Sequence, residues 1–161
     1  MPKTPFIRPR TTTRASLSFA IVASQYNNTY VQPLVDSATR EINELEPGAR
    51  VSVVRVPGSF EIPLAVKLVA TRGKSDVILA LGVVLQGETA HAELIARSVT
   101  GALMSLALEF SVPVIHEVLL LKNEEQAKAR CLGVELNRGI EAARAAVSMA
   151  RTVKQLSSKA N

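Results

Sequence analysis

Hydrophobic and polar positions follow two alternating periods along the chain. Residues 17–23 (LSFAIVA) are a continuous apolar run of strand length, followed by a polar stretch of turn composition at 24–28 (SQYNN). Val31, Leu34, Val35, Ala38, Ile42 and Leu45 then recur at helical spacing, an apolar stripe about four turns long. Pro47-Gly48 ends that helix. Residues 51–56 (VSVVRV) read as a β-branched strand closed by Pro57-Gly58. The next helix has Pro63 in its first turn, where a missing N–H costs nothing, and runs to Thr71 before Arg72-Gly73-Lys74.

The strand at 77–85 (VILALGVVL) is apolar on both faces, as a buried parallel strand requires. A polar turn over Gln86-Gly87-Glu88-Thr89 leads into a helix over 91–109, with Ile95, Val99, Ala102, Leu103 and Leu106 on one side. Residues 112–121 (VPVIHEVLLL) give a fourth strand. Asn123 reads as an N-cap with Gln126 as capping-box partner, opening a short helix to Arg130 that Gly133 breaks. An Ala-rich helix spans Asn137 to Gln155. The order β-α-β-α-β-α-β-α-α predicts parallel pairing through right-handed crossovers. The expected fold is therefore a three-layer α/β/α sandwich around a flavodoxin-like, four-stranded parallel sheet. Ligands of such sheets bind at the carboxyl ends of the strands. That rule singles out the loops 24–28, 57–61, 86–91 and 116–123.

Composition narrows the class. The 161 residues, 47% hydrophobic and 20% charged, suit one domain with a real core. A single cysteine excludes an internal disulfide framework and a cysteine-based zinc site, and two histidines without ligand spacing argue against a metal centre. No apolar run reaches the ~18 residues of a membrane span, and no secretory h-region opens the chain, so a cytoplasmic protein is expected. The net charge is +5, of which Lys3, Arg8, Arg10 and Arg14 supply +4 within the first fourteen residues. That segment, with three prolines and a Thr run, reads as a flexible or extended basic arm (1–14) ahead of one domain (15–161). Nucleic-acid binders concentrate cations on a folded face, so a tail-borne excess argues against that partner.

Gly87-Glu88-Thr89-Ala90-His91 is the most informative loop. The first amides of the following helix lack intrahelical partners and sit at its positive dipole end. With Gly87 permitting close approach and Thr89 adding a hydroxyl, the turn suits a phosphate, although a simple helix cap fits it equally well. Neither GxxxxGK[ST] nor GxGxxG occurs. An imidazole at His91 can move protons on a ligand held by those amides, or can simply make a structural hydrogen bond. Phe60 and Tyr26 can stack on a planar ring, or pack at the sheet edge. Glu61 can accept from ligand hydroxyls, or serve as an N-terminal helix charge. Arg130 and Arg138 flank the break between the last helices, as anion ligands or solvated charges.

Together these segments resemble lumazine synthase, the penultimate enzyme of riboflavin biosynthesis. The matching pieces are SQYN at 24–27, VPGSFEIP at 56–63, LGVVLQGETAH at 81–91, VPV at 112–114, NEEQAKAR at 123–130 and NRGIEAA at 137–143, spread over residues 17–153. The resemblance implies condensation of 5-amino-6-(D-ribitylamino)uracil with 3,4-dihydroxy-2-butanone 4-phosphate to 6,7-dimethyl-8-ribityllumazine, without metal or organic cofactor. It implies that Tyr26 stacks on the pyrimidine, and that Ser59, Phe60, Glu61 and Ile62 line the ribityl pocket. Val84 and Leu85 would meet the pyrimidine edge through their backbone, next to Gln86. Glu88, Thr89, Arg130 and Arg138 would hold phosphate, and His91 would transfer protons. It further implies a homo-oligomer with sites between subunits, a pentamer or up to a sixty-subunit icosahedral shell, with His116 contributed across the interface. Departures fall at Gln86, where many members carry a basic residue, at His116, where many carry Phe, at Glu117 in place of a small residue, and at Val134, where some carry Lys. They keep a second reading open: a divergent member that binds flavin or lumazine, or forms a shell, with weak or lost catalysis.

Overall fold

The computed structural model describes residues 6–10 and 16–158. Four parallel strands, β1 (Ser18–Ser24), β2 (Arg50–Val56), β3 (Val77–Leu85) and β4 (Val114–Leu121), form one sheet in the order β2-β1-β3-β4. Between them lie α1 (Asn28–Leu45), α2 (Ile62–Thr71) and α3 (His91–Phe110). After β4 come the short α4 (Glu124–Ala127), a wide π turn (Lys128–Leu132) and α5 (Arg138–Ser158). This is the expected α/β architecture, with its boundaries close to those the periodicity predicts. The fourth strand starts at Val114 rather than 112, because Pro113 has no N–H for the ladder and only lends its carbonyl to Ile78.

Strand alternation separates two cores. Phe19, Ile21 and Ala23 pack with the α1 stripe and with Ala142, Ala143, Ala146 and Val147 of α5. Ala20 and Val22 face the other way, onto Val66 of α2 and Val99, Leu103 and Leu106 of α3. All six predicted α1 stripe residues are buried. Small residues let α5 lie close on α1, and a Cβ at Gly139 would sit 2.4 Å from the Leu34 carbonyl oxygen. Ion pairs fasten the same helices at their margins: Glu41 with Arg144 at 2.9 Å, and Glu46 with Arg151 at 2.7 Å. Of the N-terminal arm, residues 1–5 and 11–14 lie outside the described residues, as does Ala15. Within its described part, Arg8 reaches Glu41 (2.9 Å) and Glu44 (3.0 Å) on α1.

The chain crosses from β1 to β2 on one side and then returns past β1 to β3, so the switch in direction falls between β1 and β3. Their carboxyl ends therefore diverge into a crevice. A 3₁₀ turn at Ser59–Glu61 folds over this end. It comes close because Gly82 has no side chain: a Cβ there would lie 2.8 Å from Ser59 Oγ, 3.2 Å from Ile62 Cδ1 and 3.3 Å from Ser24 Oγ. Gly82→Ala is expected to cost about 1–3 kcal/mol through overpacking. Thermal melts should show roughly 2–4 °C of lost Tm per kcal/mol for a domain of this size; an unchanged Tm would mean that the turn is not held against β3.

Candidate active site

Three of the four loops that the sequence singles out converge on one cavity of about 770 Å³, within the range of small-molecule sites. The loop after β1 is bound to the loop after β2 by Gln25 N–H to Val56 O (2.7 Å) and Tyr26 N–H to Pro57 O (2.9 Å). Asn27 turns the chain into α1 with left-handed dihedrals (φ 57°), a conformation that Asn tolerates, and its Nδ2 donates to Val83 O at 2.8 Å. That bond ties the loop after β1 to the end of β3. Tyr26 (74% exposed) and Phe60 (62% exposed) both line the cavity and are largely exposed. Glu61 folds back on its own turn, one carboxylate oxygen accepting from Gly58 N–H at 2.9 Å, which fixes the carboxylate at the cavity wall.

Tyr26, Ser59, Phe60, Glu61, Val84, Leu85 and His91 all line the cavity, as the sequence reading expects. Asn27, Val83, Ala92, Leu94, Ile95 and Ser98 also line it and were not singled out. The signal for the last three was present: 91, 94, 95 and 98 fall on one helical face running on from His91. Only Ile95 among them belongs to the apolar stripe of this helix, and it serves both purposes, packing partly against the α2–α3 core while it borders the cavity.

Other expected residues lie elsewhere. Ile62 is fully buried in the core beneath the 3₁₀ turn and is not part of the lining. Its position follows from the apolar floor that Gly82 leaves open. Gln86, Glu88 and Thr89 are exposed in the turn between β3 and α3, beyond the lining. Gln86 Nε2 points to Glu93 Oε1 (3.4 Å), and Thr89 Oγ1 faces His91 N–H (3.5 Å), so the turn presents its hydroxyl at the start of α3. Asn123 caps α4 by accepting from Gln126 N–H (2.9 Å), and Gln126 returns the bond one residue early, to Lys122 N–H (3.0 Å).

His116 lies in the first half of β4, opposite Ala80, and does not face this chain's cavity. Its Nδ1 accepts from Val118 N–H at 3.1 Å, so Nε2 carries the proton and donates to Thr100 Oγ1 at 2.7 Å. Thr100 passes its own hydrogen to Ala96 O. Arg138, expected at the phosphate, has its guanidinium on Glu117 and Glu141 instead. Arg130 is half-buried in the π turn and has no ion-pair partner among the described residues. Burial pushes the Cys131 thiol up to about 12, with Glu117 adding to the effect, so it stays protonated and is no nucleophile. Among the described residues, no three His, Cys, Asp or Glu side chains are grouped to hold a metal, and no helix is long and apolar enough to cross a membrane.

Burial holds the His116 imidazole below its ordinary 6.5. Between that lowered value and 6.5 the unfolded chain binds a proton that the folded one does not. His116 therefore contributes stability above pH 6.5 that is lost as the pH falls. Denaturant titrations should show the stability difference between the wild type and His116→Asn narrowing from pH 7 to pH 5. A constant difference would mean that this imidazole does not titrate with folding.

The comparisons with known proteins agree with this geometry. The family model described as 6,7-dimethyl-8-ribityllumazine synthase matches residues 16–154. The protein of that name from Thermococcus onnurineus is 42% identical over 140 residues, covering 87% of this chain and 91% of its own. That from Streptomyces coelicolor is 41% identical over 146 residues, covering 88% of each. That from Burkholderia multivorans is 39% identical over 141 residues, covering 87% and 80%. With the match running from the first strand to the last helix and including every cavity-lining segment, this chain belongs to the 6,7-dimethyl-8-ribityllumazine synthase family.

Proposed function

We propose that the cavity joins 5-amino-6-(D-ribitylamino)uracil to 3,4-dihydroxy-2-butanone 4-phosphate, giving 6,7-dimethyl-8-ribityllumazine for riboflavin synthesis. The observation that carries this reading is the convergence of two uncovered aromatic rings, a fixed carboxylate and an imidazole on one crevice. The pyrimidine stacks on Tyr26 and meets the backbone of Val83, Val84 and Leu85, while the ribityl hydroxyls run toward Ser59 and Glu61. The keto-phosphate lies toward the start of α3, where Glu88 and Thr89 offer amides and a hydroxyl.

The chemistry then consists of proton movements between two oriented reactants. The uracil amine adds to the ketone and loses water to an imine. Phosphate leaves by elimination, the enol left behind takes up a proton at carbon and becomes a second carbonyl, the ribityl-bearing nitrogen adds to that carbonyl, and a second water departs. Atoms and electrons balance with phosphate and two waters as by-products, so no redox partner is required. Holding the reactants face to face removes much of the entropic barrier. His91, at the cavity edge beside the phosphate turn, carries protons between the amine, the carbonyl oxygen and the leaving waters.

The assembly belongs to the same proposal. Leu64 and Leu68 on α2, and Leu94, Met104 and Leu108 on α3, are exposed apolar side chains on the layer that borders the cavity. A second copy of the chain covering them would bury this surface and close the open side of the crevice. We take the state to be a pentamer or a larger shell, in the cytoplasm, where both water-soluble substrates are at hand. Arg8, from the basic N-terminal segment, rests on α1.

Two experiments test this reading. The purified protein mixed with both substrates should form the fluorescent lumazine faster than the spontaneous reaction, and His91→Ala should slow turnover by about 10²-fold. Absence of any rate above background would overturn the reading, and an unchanged rate in the variant would remove His91 from proton transfer. Light scattering should give a mass of at least five chains, and Leu68→Asp together with Leu108→Asp should yield smaller species; a monomeric wild type would refute the assembly.

A further inference from the structure

Arg55 lies near the end of β2, an outer strand of the sheet, level with Ala23 of β1. Its guanidinium donates from Nη2 to Asn28 Oδ1, on the first residue of α1. Its Nη1 is buried without a hydrogen-bond partner, and no other buried side-chain nitrogen or oxygen among the described residues is left in that state. No carboxylate pairs with it. Asp36 and Glu44, the acids on the groove that Arg55 lines between α1 and β2, are engaged by Gln32 (2.8 Å) and Arg8 (3.0 Å).

Stability does not explain this placement. A cation in the first turn of a helix meets the positive end of its dipole. A buried N–H without an acceptor carries a desolvation cost. The first turn of α1 holds no acidic residue to offset either effect. A neutral side chain with the same stem would serve the fold as well. What the arginine adds is one charge-assisted bond, at Asn28.

That bond completes a set. Asn27 and Asn28 are consecutive, and their side chains hold opposite flanks of the loop after β1. Asn27 Nδ2 donates to Val83 O on β3, on one side of β1 (2.8 Å), and Asn28 accepts from Arg55 on β2, on the other side. The backbone just before them is fixed to the end of β2 through Gln25 and Tyr26 N–H. Tyr26 is thus followed directly by a two-sided clamp, and the left-handed backbone of Asn27 (φ 57°) lies within it. Even for asparagine, such a backbone persists only where its surroundings hold it. If the outer bond opens, the turn at Asn27 loosens, and with it the ring of Tyr26, which is largely exposed and has little packing of its own.

We propose that Arg55 is a positioning residue for the pyrimidine: through Asn28 it holds the Asn27 turn, and so the plane of the Tyr26 ring at the cavity wall. This rests on the functional reading above and adds to it a residue that does not itself line the cavity. A bond between β2 and α1 thereby decides how much of the stacking surface is ready before substrate arrives. Preorganisation of this kind shows in affinity rather than in the proton transfers.

The test separates loop mobility from binding, in the full-length protein. Arg55→Met keeps the aliphatic stem and removes the donor. Hydrogen exchange read by mass spectrometry should become about three- to fivefold faster over residues 24–28 and stay unchanged over β3. Tm should stay within about 2 °C of wild type. 6-(D-ribitylamino)uracil, which lacks the reacting amine, should bind about three- to fivefold more weakly by calorimetry, as expected when one charge-assisted bond acts at a distance. KM for the amine substrate should rise by the same factor, while kcat and KM for the keto-phosphate do not change. Asn28→Ala should reproduce these effects, and the double variant should be no worse than either single one. Arg55→Lys still offers a donor for this single bond and should bind within about twofold of wild type. Unchanged exchange in Arg55→Met would overturn the proposal. So would faster exchange with unchanged binding, additive losses in the double variant, or a Tm loss above about 5 °C, which would make Arg55 a residue of the fold instead. Failure of the wild type to bind the uracil would count against the functional reading, while the exchange comparison still decides whether Arg55 holds the loop.

Discussion

The site depends on how closely the turn after β2 can lie against β3. At Gly82 that approach leaves no room for a methyl group, and Ser59, Ile62 and Ser24 fill the space that a side chain would take. From this contact the rest follows. The turn is pinned to the sheet, Phe60 and Glu61 are held over the end of β3, and Ile62 anchors the turn in the core. Asn27, donating across to Val83, brings the first loop to the same strand end. The open crevice between β1 and β3 is what every doubly wound sheet offers. These two close contacts turn it into a cavity with defined walls.

Charge is organised on the opposite face of the sheet. Glu41, Glu46 and Glu117 are all buried, and each is met by an arginine from α5. Burial pushes the Glu41 carboxyl up, but Arg144 and Arg8 together outweigh it and hold it below the ordinary carboxylate range. At Glu117 burial prevails over Arg138 and holds the carboxyl above that range. The contrast follows from the partners: two guanidiniums hydrogen-bond Glu41, whereas Glu117 is hydrogen-bonded by one and also faces the Glu141 carboxylate. Such pairs fix where α5 sits more than they add net stability, because desolvation offsets much of the attraction. The same helix thereby fixes the loop that carries Arg130.

The strands and helices were legible because each has a clean period and a chemical stop. The apolar run at 77–85 is buried over 77–83, and so is the stripe from Val31 to Leu45, as their patterns require. The loop chemistry was legible in part. Tyr26, Phe60, Glu61 and His91 share a cavity, as expected from loops at one end of a parallel sheet. What the sequence does not disclose is direction within an element. Ile62 belongs to the same motif as Phe60 but points into the core, a consequence of the 3₁₀ turn that no spacing rule anticipates. Arg138 read as an anion ligand because its carboxylate partner, Glu117, lies twenty-one residues away on another element. Of the α3 residues at 94, 95 and 98, Ile95 belongs to the apolar stripe that packs inward, while Leu94 and Ser98 lie off it and are exposed. Asn27 lay within the turn at 24–28, but its role rests on one left-handed residue and one bond to β3, which no spacing discloses.

The most direct measurement of the central claim is a crystal structure with a non-reacting ribityl-bearing pyrimidine. The account predicts its ring stacked on Tyr26 against the backbone of Val84 and Leu85, its ribityl chain along Ser59 to Glu61, and the His91 imidazole beside the amino group that reacts. A ligand bound away from that crevice, with the crevice left empty at saturating concentration, would contradict it.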